Sequence, residues 1–235
     1  CLLNLYEMMK YRTRHFTYRF IFIPETIGSI FLLSERIIKP EIVEYALVVS
    51  CVSVGEKMHF KKTFSDHKIN NIIESFDIDT YDFQPIGSDE RQFSSPKIRI
   101  PTGLVMRSPY FEGMPLFKQY HTSDDNFELN DEELIKDTSN TLFQILEKYE
   151  YEPTYLINHG GGEPFLSKHK LYRKIGTTGH DNWGQARNWV LFLSDGKNTI
   201  YDMVKKSNCD LDTVKDVIDI LLKNGIINEC RNNSR

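Results

Sequence analysis

The stretch Phe20-Ile-Phe-Ile-Pro-Glu-Thr-Ile-Gly-Ser29, an apolar run that enters an acidic turn, decides how the rest of the chain is read. Residues Tyr18 to Ile23 are aromatic or β-branched, with no polar alternation after Arg19, which predicts a strand buried on both faces. Pro24 has no N–H to give a ladder and closes that strand. Glu25 then stands just past the strand's carboxyl end, the edge at which open α/β sheets bind ligands. A single Glu in such a turn is ordinarily a helix-start carboxylate. It becomes a candidate for chemistry if other polar groups converge on it.

Outward from this turn the pattern is β-α-β. Ile27 to Ile38 reads as a helix and Tyr45 to Val52 as a second buried strand. Asp66 to Phe76 reads as a helix capped by Ser65 or Asp66, and Leu104 to Met106 as a further strand. Asn130 to Glu150 has the clearest helical period, with Asn130 as the expected cap and Glu133 at the capping-box position. The alternation predicts an α/β class with a mostly parallel sheet and helices on both faces, ending near residue 155. On the amino-terminal side, Leu2 to Tyr11 carries a helix-like apolar face that leads to a basic stretch read as solvated.

From 156 to 187 Gly, His and Pro accumulate and the stretch reads as irregular connection; 188 to 235 then reads as a small winged helix-turn-helix. Its signals are Asp195-Gly196, helices over Thr199 to Ser207 and Leu211 to Lys223, and Gly225 closing the second helix. In a DNA-binding protein that second helix would read bases, but here it carries Asp212, Asp216 and Asp219 against Lys215 and Lys223. Phosphate contacts supply most non-specific DNA affinity, and this pattern opposes them. A packing or protein-interaction module is therefore expected, including assembly of a homo-oligomer, with a winged-helix DNA regulator as the disfavoured alternative.

The chain's 235 residues, 40% of them hydrophobic, suffice for one large domain with an appendage. Lys and Arg number 29 against 33 Asp and Glu, so no global charge draws the chain to nucleic acid or an anionic membrane. Cys1, Cys51, Cys209 and Cys230 form no C-x-x-C pair, which points away from a zinc knuckle or redox motif and towards a reducing, cytoplasmic setting. No apolar run is long enough for a bilayer, and a start at Cys1 suggests a fragment or processed product. His159-Gly-Gly-Gly162 lacks a nucleophile elbow to serve, and Asp77, Asp79 and Asp82 lack the Gly and Glu of a calcium loop.

Two polar clusters remain: Gly87-Ser-Asp-Glu-Arg-Gln-Phe93, whose plainest reading is a capped helix start, and Tyr120-His-Thr-Ser-Asp-Asp125, a loop with one imidazole. Taken in order, PETIGS at Pro24 to Ser29, GSDERQF at Gly87 to Phe93, YHTSDD at Tyr120 to Asp125, GEP at Gly162 to Pro164 and KLY at Lys170 to Tyr172 resemble a known group over nearly the whole chain. The group is the aminopeptidase-like proteins that end in a winged helix, a branch of the co-catalytic zinc aminopeptidase superfamily. The resemblance implies two zinc ions on five shared ligands, a Glu general base beside one ligand, and a metal-activated water that cleaves a peptide or aminoacyl-amide substrate. It also implies that His121 is the last metal-ligand His. Glu25 falls where a Glu-Glu pair is usual. Either it is the catalytic base, with Thr26 in the ligand's place, or it is the ligand and the base is missing. Asp89, Glu90, Arg91 and Asp125 fall in segments that orient substrate or support the ligands. Two departures accompany the match. The family's first His and bridging Asp would precede Cys1, and Val54 stands where Cys-Val-Gly-Asp would place an acidic residue. The expectation is thus part of a zinc-dependent metallohydrolase with a partial site. Its rival is an inactive aminopeptidase fold that binds ligand without turnover.

Overall fold

The computed structural model describes residues 1–108, 117–172 and 181–230. It divides into two compact units, Cys1–Glu147 and Lys148–Arg235. Residues 173–180 of the expected connection, and Arg231 and Arg235 of the expected winged helix, lie outside the described residues.

In the first unit, α1 (Leu2–Met9) buries Leu5 and Met9. The expected strand at Tyr18 to Ile23 is absent: among the described residues the run joins no ladder, Phe22 is exposed, and Ile21 packs on a small core of Ile38, Phe93 and Ile100. A β-branched run specifies extended backbone, but a ladder also needs a partner strand, which the run itself does not encode. After it come α2 (Ile27–Ser34), β1 (Ala46–Val49), β2 (His59–Lys61), α3 (Lys68–Glu74), β3 (Asp79–Tyr81), α4 (Glu90–Phe93), β4 (Thr102–Met106) and α5 (Glu132–Tyr151), whose last residues, from Lys148, belong to the second unit. The four strands form one sheet in the order β1-β4-β2-β3, with β1 and β4 parallel, β2 and β3 parallel, and β2 antiparallel to β4. Mixed α/β architecture with a mostly parallel sheet thus holds. All five residues of β4 are buried, as a strand with a neighbour on each side requires. Gly103 is needed there because a Cβ would run into the Phe60 ring and lie 3.1 Å from the Lys61 carbonyl oxygen.

Several boundaries differ from the sequence reading, each for a local reason. The helix after Glu25 stops at Ser34, four residues early, because Arg36 turns the chain at φ 54°. His67 caps α3 in place of Ser65 or Asp66, its ring accepting from the Ile69 N–H at 3.3 Å. Asp131 displaces Asn130 as the cap of α5, accepting from the Glu133 and Leu134 N–H groups at 2.8 and 3.2 Å. Strands β2 and β3 have three residues each, too short for periodicity to reveal.

The second unit holds β5 (Thr154–Ile157), α6 (Asn182–Leu193), α7 (Ile200–Ser207), α8 (Leu211–Lys223) and β6 (Ile227–Cys230). β5 and β6 pair antiparallel, and the three helices enclose a core of Ala186, Val190, Met203, Val214, Val217 and Leu221, all fully buried. Three helices and a two-stranded ribbon make a winged helix. Its first strand begins just before the stretch read as irregular and its first helix inside it; Asp181, whose carboxylate accepts from the Gly184 N–H at 3.0 Å, starts α6. Thr199 and Asp202 form a complete capping box on α7. Among the described residues no helix is long and apolar enough to cross a membrane.

Candidate functional site

A pocket of about 470 Å³ opens in the first unit, within the size range of small-ligand sites. Glu25 reaches it from the turn before α2, Cys51 from just past β1, Lys61 from β2, Arg91 from α4, and Tyr120 and His121 from the turn before α5. Glu25 and His121, far apart in the chain, therefore share one wall-lined space. Asp89, Glu90 and Asp125 are not on its wall.

Asp89 is 8% exposed and holds the turn that carries Glu25. Its Oδ1 accepts from the Thr26 N–H at 2.8 Å and from the Ser29 hydroxyl at 2.6 Å. Thr26 has φ 63° and ψ −62°, a conformation that costs a non-Gly residue about 1–3 kcal/mol and persists only where its surroundings enforce it. Asp89 supplies that enforcement from across the unit. Glu90 is completely buried, pairs with the Lys61 ammonium, and accepts from the Ser88 N–H. Gly87, at φ 120°, makes the pair possible: a Cβ there would stand 2.6 Å from both Glu90 Oε1 and Lys61 Nζ. Arg91 is the member of this short helix that lines the pocket, its Nε donating to the Ser88 carbonyl at 3.1 Å. Three consecutive residues thus point three ways, one to the Glu25 turn, one to Lys61 and one into the pocket.

His121 sits at φ 60°, its ring stacked on Tyr120 at 3.9 Å between centroids and 18° between planes. The Thr122 hydroxyl donates to the Gln119 carbonyl at 2.7 Å and accepts from the Asp124 N–H at 3.2 Å, closing the turn. Asp125 is exposed, its N–H donating to the Thr122 carbonyl. Burial pushes the Cys51 thiol up, and the Glu25 and Asp125 carboxylates add to this against a partial offset from the Ser50 hydroxyl. Cys51 is therefore a neutral thiol at neutral pH, unsuited to nucleophilic work. Among the described residues no three His, Cys, Asp or Glu side chains come together to hold a metal ion. By themselves they do not complete a zinc centre. Lys61 and Cys51 escaped the sequence reading. Lys61 lies on a three-residue strand, and Cys51 enters the sequence reading only as an unpaired cysteine and as the start of the segment that places Val54.

The comparisons with known proteins follow this division of the chain. Residues 2–152 match a family profile described as a domain of unknown function, DUF4910. The chain belongs to the DUF4910 family. In this DUF4910 chain residues 153–229 match a winged helix-turn-helix family. A Clostridium acetobutylicum protein provisionally named a polysaccharide biosynthesis protein with aminopeptidase-like domain is 37% identical over 225 residues, covering 92% of this chain and 50% of its own length. A crystal structure at 2.37 Å of a provisionally named peptidase from Clostridium acetobutylicum superposes with a TM-score of 0.67 at 32% identity, covering 97% of this chain and 53% of that one. The DUF4910 chain thus spans about half the length of the relatives it matches, and those relatives carry aminopeptidase-like and peptidase names.

Proposed function

We propose that this chain is part of an aminopeptidase-like hydrolase that cleaves an amide or peptide bond with an activated water. The observation that carries the reading is the convergence of Glu25 and His121 on one pocket. The peptidase-like names of relatives at 37% and 32% identity support it. In this reading Glu25, exposed on the pocket wall, takes the proton of the attacking water and later returns it to the leaving amine. Asp89 keeps the Glu25 turn in place. Zinc dependence remains part of the proposal through the resemblance of the YHTSDD turn. With His121 facing the pocket, the remaining donors would have to come from outside the described residues. The second unit is proposed as a packing or assembly module, since α8 presents Asp212, Asp216 and Asp219, with Asp216 accepting from the Trp183 indole at 2.9 Å.

The test is hydrolysis of aminoacyl amides with zinc supplied. Glu25→Gln should lower kcat by about 10²–10⁴ while leaving substrate binding intact. Failure of the unaltered protein to cleave any such amide would remove the hydrolase. The second reading, ligand binding without turnover, is favoured by the single carboxylate of the turn, with Thr26 rather than a second Glu beside Glu25. Ligand binding with neither turnover nor stoichiometric zinc would establish it.

A further inference from the structure

Two cations line the pocket, and they differ in what already holds them. The Lys61 ammonium, on a side chain 9% exposed, pairs with Glu90 and donates to the carbonyls of Gln84, at 3.3 Å, and Ile86. An ammonium has three donors, and these three partners use all of them. Arg91 is half-buried and donates Nε to the Ser88 carbonyl at 3.1 Å. Among the described residues no carboxylate lies within ion-pair distance of its guanidinium, and no acceptor is bound to its Nη atoms. Nε thus tethers the guanidinium, and among the described residues its Nη atoms have no partner, on a side chain that lines a ligand-sized space.

We propose that Arg91 is a carboxylate receptor, so that the pocket selects ligands carrying a free carboxylate. An anchored guanidinium fork matches the two oxygens of a carboxylate with parallel N–H···O bonds, which a lysine ammonium cannot reproduce. The charge on the wall favours a singly charged anion. Glu25 and Asp82 also line the pocket; Asp82 pairs with Lys62 at 3.4 Å and Lys61 with Glu90, which leaves the Arg91 guanidinium facing the Glu25 carboxylate. A phosphate dianion would meet the Glu25 carboxylate with twice the repulsion of a carboxylate ligand. In the hydrolase reading, on which the identity of the reacting bond rests, this makes Arg91 a specificity-determining residue for substrates with a free carboxyl group. The binding claim stands apart from turnover.

The experiment is calorimetric titration of the chain with L-alanyl-L-alanine, with its carboxyl-terminal amide, and with inorganic phosphate. The free acid should bind at least about tenfold more tightly than the amide, equivalent to about 1.4 kcal/mol. R91Q should erase that preference and R91K should keep part of it, with circular dichroism confirming that both variants fold. Equal affinity for acid and amide, no binding of either, a preference that survives R91Q, or tighter binding of phosphate than of the dipeptide would each overturn the proposal. Binding of the free acid with no hydrolysis when zinc is supplied would leave the receptor and favour ligand binding without turnover over the hydrolase. Equal hydrolysis of acid and amide would do the reverse.

Discussion

Helices α8 and α2 begin in opposite ways. Asp210 caps α8 from the adjoining position, its carboxylate accepting from the Thr213 N–H at 2.8 Å and the Thr213 hydroxyl at 2.7 Å. Val214, Val217, Ile218 and Leu221 then go into a core with nearly nothing left exposed. Helix α2 starts from Thr26, whose own side chain caps nothing. The acceptor for the Thr26 N–H is Asp89, 63 residues away. Of its residues only Ser29 is buried, while Ile27 and Phe31 are 69% and 57% exposed. A helix whose cap is local can be specified by its own sequence, whereas one capped from another element exists only when that element is in place. The first arrangement belongs to a self-sufficient packing unit. The second belongs to a site, where the same contact that starts the helix also aims a functional side chain.

Three changes test this contrast. The largest effect is expected from Asp89→Ala, which leaves the Thr26 N–H and the Ser29 hydroxyl without their carboxylate. Hydrogen bonds to a charged group contribute about 1.5–3 kcal/mol, so a loss of about 3 kcal/mol in urea unfolding is expected. Amide exchange should rise over Thr26 to Ser29 with little change in α8. Equal exchange in both helices would dissolve the contrast. A smaller effect, about 1 kcal/mol, is expected from Thr199→Ala, which removes the local capping box of α7. Its exchange increase should stay within the first turn of that helix. The smallest effect is a pH dependence in the first unit. Burial holds the His59 imidazole below its ordinary value of 6.5, with Lys57 and Arg107 acting in the same direction and Asp79 opposing. The folded state thus favours neutral His59. Its contribution is complete above pH 6.5 and declines as the pH falls through the depressed folded value. Urea midpoints should therefore fall on acidification below pH 6.5, and His59→Gln should flatten that part of the profile.

The same contrast explains which parts of the molecule could be read in advance. Thr199 to Ser207, Leu211 to Lys223 and Gly225 carry their caps, apolar period and stop signal within a few residues of one another, and each appears where expected. The mostly parallel sheet followed from the apolar runs at Tyr45 to Val52 and Leu104 to Met106, which form β1 and β4 as a parallel pair. The run at Tyr18 to Ile23 has equal apolar character but joins no ladder among the described residues, because pairing depends on a second segment. In the site, Glu25, Arg91 and His121 stand out through the resemblance of their ordered motifs, not through residue type alone. That resemblance sets Glu25 and His121 apart from the supporting residues but leaves the role of Arg91 together with those of Asp89 and Glu90. Those roles depend on the direction each side chain takes from the single turn of α4, and on Lys61 arriving from β2 to meet Glu90.

The candidate residues for chemistry therefore rest on the resemblance of ordered motifs, while short-range patterns carried the winged helix and the α/β class. These are consequences of helical and strand periodicity and of caps within one turn of their helix. The pocket, the clamp of Asp89 on the Glu25 turn and the open guanidinium of Arg91 arose from contacts between residues tens of positions apart. Such contacts depend on where chain folding brings each segment, and no local stretch encodes that.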